Sequence, residues 1–342
     1  MVQPVFLSSR DLDGLAEPSE FVAAVRDAYR QRGDGAPTRP RTSLRSDDPA
    51  GLFNCYLAIL PETGVMGGYV YAAGFGDADA WLLAPLFDAE SGRPLALLDG
   101  SSMNTAKTGA AGAVGIDALA REDSEVLAVV GSGAQARAQV VAATTVREFT
   151  EVRTYSPTPE HRRAFAEDIE AALDVEARPV TSSGAATRGA DVVITATNAG
   201  TPVVSSEDID DGTHINAIGQ YHPEKRELDA ETIRRATYVP DLRERAFQDA
   251  GAFLLAVAEG AIDEDHIHAE LGEVVAGHAA GRRSAEEVTV FDSGGTAIET
   301  TAVAALLYRR AMDEHPESSR PLDFLPASET YVGKRGDTAD EL

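Results

Sequence analysis

The segment Val126-Leu-Ala-Val-Val-Gly131-Ser132-Gly133-Ala134-Gln135-Ala136-Arg137 limits what this chain can fold into more than any other. Five apolar residues bounded by a glycine loop read as a buried parallel strand, and an Ala- and Val-rich helical pattern follows from Ala136 to Val146. Gly131 permits a tight turn, Gly133 lets the backbone approach a pyrophosphate, and the small Ala136 lets the helix pack closely on its strand. The helix N-terminus then presents free N–H groups and a positive dipole end to an anion. Strand before and helix after, the loop predicts a dinucleotide-binding unit, with Gly131, Ser132, Gly133, Ala134, Gln135 and Ala136 around the diphosphate.

A chain of 342 residues has room for two domains and a sizeable core. Its formal net charge is -26, from 56 Asp plus Glu against 30 Lys plus Arg, and lysine stands only at 107, 225 and 334. Such an acidic, lysine-poor surface is expected of a halophile protein working in multimolar salt, where screening removes the self-repulsion. It argues against nucleic acid as a partner. No apolar run reaches the length of a membrane span, and the opening Met-Val-Gln-Pro lacks signal-peptide character, so a soluble, cytoplasmic protein with no membrane partner is expected. The single cysteine, Cys55, reads as a small core residue and permits neither an intrachain disulfide nor a cysteine-based metal site.

Along the chain, Val5-Phe6-Leu7 reads as a strand, and a helix is expected from Ser19 as N-cap, with Phe21, Val22, Val25 and Tyr29 on one face. Thr38 to Arg45 is an extended basic segment, either a functional cluster or a solvated strand edge. Leu52 to Leu98 alternates apolar runs with Gly, Pro, Asp and Glu clusters, which predicts a meander of mostly antiparallel strands. A long Ala- and Gly-rich helix, about Met103 to Ala120, leads into the glycine-loop strand. Beyond it, strands over 126–130, 152–155, 192–196, 214–218, 237–240 and 288–291 alternate with helices over 135–146, 159–173, 229–235 and 265–277. A last helix is expected over 296–314. The predicted class is α/β: a doubly wound parallel sheet over 121–296, an α+β substrate and dimerisation domain from 1–120 with 297–330, and a polar tail over 331–342.

Leu97-Leu98-Asp99-Gly100, the glycine loop, Thr195-Ala196-Thr197, Asn216-Ala217-Ile218-Gly219, Glu227-Leu228-Asp229, Ala269-Glu270-Leu271-Gly272-Glu273-Val274 and Phe291-Asp292-Ser293 follow one another with a spacing that resembles the ornithine cyclodeaminase/mu-crystallin family. The resemblance covers about residues 35–310. It implies a Rossmann domain paired with a substrate-binding domain, a homodimer, and hydride exchange between nicotinamide and the alpha carbon of an amino acid, keto acid plus amine, or cyclic imine.

By position, the resemblance makes Arg41 the clamp of a substrate carboxylate, which its guanidinium fork fits bidentately. Lys107 takes the place of a second arginine, with a salt-bridged helix lysine as the alternative. Tyr69 stands where the family has a substrate-facing lysine, and Tyr221 where cyclodeaminases have an aspartate. His222 is the candidate titrating group, or else a turn histidine before Pro223. Both proton-handling groups of ornithine cyclisation are thus replaced, whereas imine reduction needs only a held carboxylate, an aimed nicotinamide and a proton from Tyr69, Tyr221 or His222.

Thr195, Ala196 and Thr197 are expected beneath the adenosine, and Ile218, Gly219, Asp292, Ser293 and Gly294 near the nicotinamide. NAD enzymes usually carry an acid at the tip of the second strand; here Tyr155 runs into Ser156, Pro157 and Thr158, with Arg162 following. This favours NADP(H) over NAD(H), with Ser156, Thr158 and Arg162 on the 2′-phosphate unless Arg162 faces solvent. His266 and His268, an i,i+2 pair, share no helix face and are read as polar residues rather than metal ligands. Three functions follow: an imine or ketimine reductase or amino acid dehydrogenase on a small carboxylate, a cyclodeaminase with a rearranged site, or a non-catalytic NADP(H)-dependent binding protein.

Overall fold

A computed structural model describes residues 3–76, 79–314 and 320–326. Two seven-stranded sheets organise the chain. The first runs in the order Arg320–Pro321, Val5–Leu7, Pro94–Asp99, Asp79–Asp88, Val65–Phe75, Ala50–Leu60, Thr42–Asp47. Its five strands from Thr42 to Asp99 form the expected antiparallel meander, and Val5–Leu7 joins Pro94–Asp99 in parallel.

Period-2 alternation gives this sheet two different faces. Asn54, Tyr56, Ala58 and Leu60 face inward opposite Tyr71, Tyr69, Gly67 and Val65, where the last helix, Ala297–Glu314, packs into the same core. Phe53, Leu57 and Ile59 face outward and are exposed, as are Trp81 and Leu83 on the strand Asp79–Asp88, beyond Val65–Phe75. Cys55 lies on this outer face, half-buried, and not in the core as its apolar surroundings suggested.

The second sheet is entirely parallel, in the order Thr237–Pro240, Thr289–Asp292, His214–Ala217, Val192–Thr195, Val126–Val130, Glu151–Tyr155, Glu176–Pro179. Both its faces are covered. Ala128, Val130, Val193, Ile215 and Val290 enter one apolar cluster, and Leu127, Val129, Val192 and Ile194 another. The strand order reverses between Val126–Val130 and Val192–Thr195, which opens a crevice at their carboxyl ends.

The helix Gly100–Leu119 connects the two sheets. Asp99 caps it by accepting the Ser101 N–H at 3.1 Å. Its glycines mark close approach: a Cβ at Gly109 would lie 2.6 Å from the Ala138 carbonyl oxygen, and one at Gly115 2.5 Å from the Phe291 ring.

Several boundaries differ from the sequence reading. The first long helix is Pro18–Gly33, capped by Glu17 with Glu20 closing the capping box, so Ser19 lies inside it. The helix expected over 265–277 is broken: Ile267 bridges Tyr238 and the His268 N–H donates to the Tyr238 carbonyl at 2.9 Å, so the chain extends along the sheet before the short helix Leu271–Val275. Two helices not expected from pattern, Arg243–Asp249 and Gly251–Ala258, follow the strand Thr237–Pro240. The edge strand Glu176–Pro179 was also not anticipated. The tail over 331–342 lies outside the described residues.

Candidate active site

The glycine loop ends the strand Val126–Val130 with Gly131 at φ +126°, its N–H donating to the Tyr155 carbonyl at 2.8 Å. A Cβ at Gly131 would collide with the Ala196 carbonyl oxygen. Gly133 is the N-cap of the helix Ala134–Ala143, and the position of its absent Cβ has nothing within 4 Å. Open space therefore lies before a helix N-terminus whose N–H groups suit a diphosphate. Ala136 is fully buried, Ser132 offers its carbonyl to Arg137, and the Gln135 Oε1 is buried without a partner. These features fit a dinucleotide.

At the tip of the second strand, the Arg162 Nη1 donates to the Ser156 carbonyl at 2.9 Å and the Ser156 Oγ donates to the Thr158 carbonyl at 3.3 Å. Arg162 lies 5.9 Å from the Tyr155 ring centroid, folded back over the tip and brought together with both hydroxyl residues.

Glu227 ties the remaining cofactor-side loops together, a role that the sequence did not assign to it. Its carboxylate accepts from the Thr195 Oγ1 at 2.9 Å, the Thr197 N–H at 2.7 Å and the Gly219 N–H at 2.8 Å. Burial raises its pKa, and these hydrogen bonds oppose the rise. Thr195, Ala196, Thr197, Ile218 and Gly219 are thereby held at the ends of adjacent strands.

Across the crevice, Arg41 precedes the edge strand Thr42–Asp47 and is 9% exposed. Its Nη2 donates to the Gly294 carbonyl and, at 3.2 Å, to that of Gly295. The Nε lies 3.6 Å from Asp249 and has no hydrogen-bond partner, although it is buried. Burial works against the Arg41 charge, yet Asp249, with Tyr71 and Tyr56, more than restores it and the pKa is raised. The Tyr221 ring stacks on the guanidinium with its centroid 4.6 Å away and stays half exposed. Tyr71 and Asn54, register partners on the inner sheet face, line the same place.

The loop that Arg41 grips is built on a buried ionic cluster. Arg245 Nε contacts Asp241 at 2.7 Å, and its Nη2 reaches both the carboxylate and the carbonyl of Asp292 at 2.7 Å. Asp241 in turn accepts the N–H groups of Gly294 at 2.9 Å and Gly295 at 3.1 Å. Asp292 is therefore engaged by Arg245, while among the described residues the Ser293 Oγ is buried without a partner and Gly294 offers backbone. Burial raises the carboxyl pKa of both Asp249 and Asp292 against the pull of Arg245.

Lys107, on the Gly100–Leu119 helix, has a side chain only 3% exposed, 3.8 Å from the fully buried Glu299. Tyr69 lies beneath it, ring centroid 5.5 Å from Nζ, and spends its hydroxyl on the Gly100 carbonyl at 2.8 Å. The structure thus gathers Arg41, Lys107, Tyr69, Tyr221 and the Ser293–Gly294 loop. His222 stays in its own turn, accepting the Glu224 N–H at 3.2 Å. His266 and His268 point to the separate carbonyls of Ile233 and Ala280, each at 2.8 Å.

Asp241, Arg245, Asp249 and Glu299 were missed in the sequence. The signals were there: Arg245 lies four residues from each of Asp241 and Asp249, and Thr296-x-x-Glu299 is a capping box.

The ornithine cyclodeaminase/mu-crystallin family profile matches residues 3–315. A Δ1-pyrroline-2-carboxylate reductase of Bacillus cereus is 39% identical over 229 residues, 67% of this chain and 70% of that protein. The Thermococcus litoralis Δ1-pyrroline-2-carboxylate reductase, solved in complex with NADH and L-proline, is 34% identical with a TM-score of 0.85, over 90% of this chain and 98% of that one. An archaeal alanine dehydrogenase dimer with bound NAD is 32% identical with a TM-score of 0.87, over 95% of this chain and 100% of that one. With its glycine loop, its Glu227-tied crevice and a family match over residues 3–315, the chain belongs to the ornithine cyclodeaminase/mu-crystallin family.

Proposed function

We propose that this protein reduces the carbon–nitrogen double bond of a small imine carboxylate, with NADPH as the preferred reductant. It is an NAD(P)-dependent oxidoreductase of its family. The observation that carries the substrate reading is the convergence of Arg41 and Lys107 on the Gly294–Gly295 loop, with the buried Arg41 Nε ion-paired to Asp249 at 3.6 Å but making no hydrogen bond among the described residues. A buried guanidinium with an unused donor suits a carboxylate ligand. The substrate named for the Bacillus cereus relative is of this chemical class.

Arg41 binds and orients the substrate carboxylate, supported from below by Gly294 and Gly295 and covered by Tyr221. Tyr56, Tyr69 and Tyr71 wall the site from the inner sheet face and keep water away from the reacting bond. Gly131, Gly133 and the Ala134–Ala143 helix would hold the diphosphate, with Glu227 fixing the loops beneath the rest of the cofactor. When bound, reduced nicotinamide supplies the hydride to the imine carbon. The hydroxyls of Ser156 and Thr158 and the guanidinium of Arg162, with no acid at the strand tip, support a 2′-phosphate. The exposed outer face of the first sheet supports a homodimer, and the acidic surface supports work in the cytoplasm of a halophile.

The test is oxidation of NADPH and NADH by the purified chain in multimolar KCl, offered cyclic imine carboxylates and alpha-keto acids with small amines. Turnover with an imine carboxylate, faster with NADPH, is the expected result. Tight NADPH binding without turnover, or ammonia release from ornithine with no net cofactor change, would replace this reading with the binding protein or the cyclodeaminase.

A further inference from the structure

We infer that Lys107 is the proton donor to the substrate nitrogen and that Glu299 is the residue that positions it. The inference rests on the imine-reduction reading and assigns its acid.

An ammonium carries three N–H donors. Among the described residues, Lys107 Nζ makes one hydrogen bond, to the Thr108 Oγ1 at 3.4 Å, and Glu299 Oε1 lies at 3.8 Å, beyond hydrogen-bond reach. The remaining donor capacity is buried beside Gly295, where an added Cβ would sit 3.4 Å from Nζ. Arg41 donates to the carbonyl of that same Gly295 at 3.2 Å, so the underused ammonium and the carboxylate clamp border one loop.

Of the donors that the sequence put forward for the proton, each is engaged or turned away. Tyr69 is committed to the Gly100 carbonyl, Tyr221 is stacked on Arg41 at the mouth, and His222 is turned into its own loop. Glu299 is held rigidly in its capping box, accepting the Thr296 N–H at 2.6 Å, and so keeps a fixed carboxylate beside Lys107.

The charged and titratable groups facing Lys107 are Glu299 on the last helix, Asp241 after the strand Thr237–Pro240, Arg41, and the Tyr69 ring. Burial lowers the lysine pKa and Arg41 adds to this, while Glu299 and Asp241 oppose it. A lysine moved towards neutrality is a stronger acid, which suits a proton donor.

In the step, the imine nitrogen takes a proton from Lys107 Nζ, whose N–H electron pair stays on the lysine. The C=N π pair moves onto nitrogen as the carbon accepts hydride from the reduced nicotinamide, giving the amine and the oxidised cofactor. Solvent then reprotonates Lys107. An arginine at this position holds a carboxylate but cannot give up a proton at ordinary pH. Lys107→Arg therefore separates clamp from donor.

The experiment measures kcat and KM against pH for the full chain, Lys107→Arg and Glu299→Gln, with NADPH and Δ1-pyrroline-2-carboxylate in multimolar KCl. Lys107→Arg is expected to lose about 100-fold or more in kcat with KM within a few-fold. Glu299→Gln removes the carboxylate that favours the ammonium, so the alkaline loss of kcat moves to lower pH. In parallel, carbon-13 labelling of the lysine side chains lets NMR follow Lys107 beside Lys225 and Lys334. One resonance should titrate below the usual lysine value of about 10.4, and lower still in Glu299→Gln. Lysines that all titrate at the usual value would overturn the donor role. So would a Lys107→Arg enzyme with undiminished kcat beside an active wild type, which leaves imine reduction standing. A wild type inactive on every imine carboxylate sinks the reading and the donor together.

Discussion

At Gly131, a φ of +126° and the nearby Ala196 carbonyl combine two demands that only glycine meets. Gly131→Ala is expected to lose at least about 2 kcal/mol of stability from the strained backbone alone, and to weaken NADPH binding more than tenfold as the loop shifts. Thermal unfolding and fluorescence titration with NADPH measure both; a variant that binds normally would show that the loop does not hold the diphosphate. Tyr69 poses the opposite case. Its place on the inner sheet face is legible from strand parity, but the partner of its hydroxyl, Gly100, lies across the fold and has no sequence signature. With that hydroxyl engaged, Tyr69→Phe should cost about 1 kcal/mol of stability by orphaning a buried acceptor and change kcat only a few-fold. A hundredfold fall in kcat with unchanged stability would return Tyr69 to the chemistry.

At the level of elements, the glycine loop and the alternating strands were legible because a parallel sheet covered on both faces must be apolar in runs. The stretch over 243–277 was not. Its helices are short, Gly251 is required by the close carbonyls of His222 and Lys225, and its extended part is fixed by the neighbouring strand. Such tertiary constraints leave no periodicity in the chain. The segment around Glu270 is similar: its carboxylate joins Arg32, at 3.0 Å, to the Arg243 N–H, at 2.9 Å, which spacing alone does not reveal.

His214 shows the same coupling between elements with a measurable pH dependence. It sits fully buried between strands, its ring nitrogens 2.9 Å from the Thr289 Oγ1 and the Asn216 Oδ1, while the Asn216 side chain donates to the Gly112 carbonyl on the connecting helix. Burial lowers its pKa from 6.5 to about 3. The unfolded chain therefore takes up a proton that the folded chain refuses, and stability from this group falls as pH drops from 6.5 towards about 3. Urea midpoints at about pH 7 and about pH 5 should differ more for the wild type than for His214→Gln. Equal differences would mean that the histidine is not held neutral.

For the whole molecule, the outward side of the meander is the feature that composition concealed. Phe53, Ala72 and Trp81 form one cross-strand row and Cys55, Val70 and Leu83 the next, with Leu57 and Ile59 extending the surface. Trp81 is 76% exposed, Leu57 52% and Leu83 45%, side by side on a chain whose net charge is -26. An apolar face of this kind is costly in water unless a partner covers it. A second copy brings a matching face but also another -26, so association is favourable only where salt shortens the reach of the repulsion, to about 3 Å at 1 M. The protein should therefore run as a dimer of its 36.1 kDa chain in multimolar KCl and dissociate on dilution of the salt. Leu57→Glu combined with Leu83→Glu should be monomeric even in high salt and still bind NADPH, because both side chains point away from the crevice. Size-exclusion chromatography with light scattering decides it. A wild type that is monomeric in high salt, or a double variant that stays dimeric, would place the contact elsewhere and leave this face unexplained by self-association.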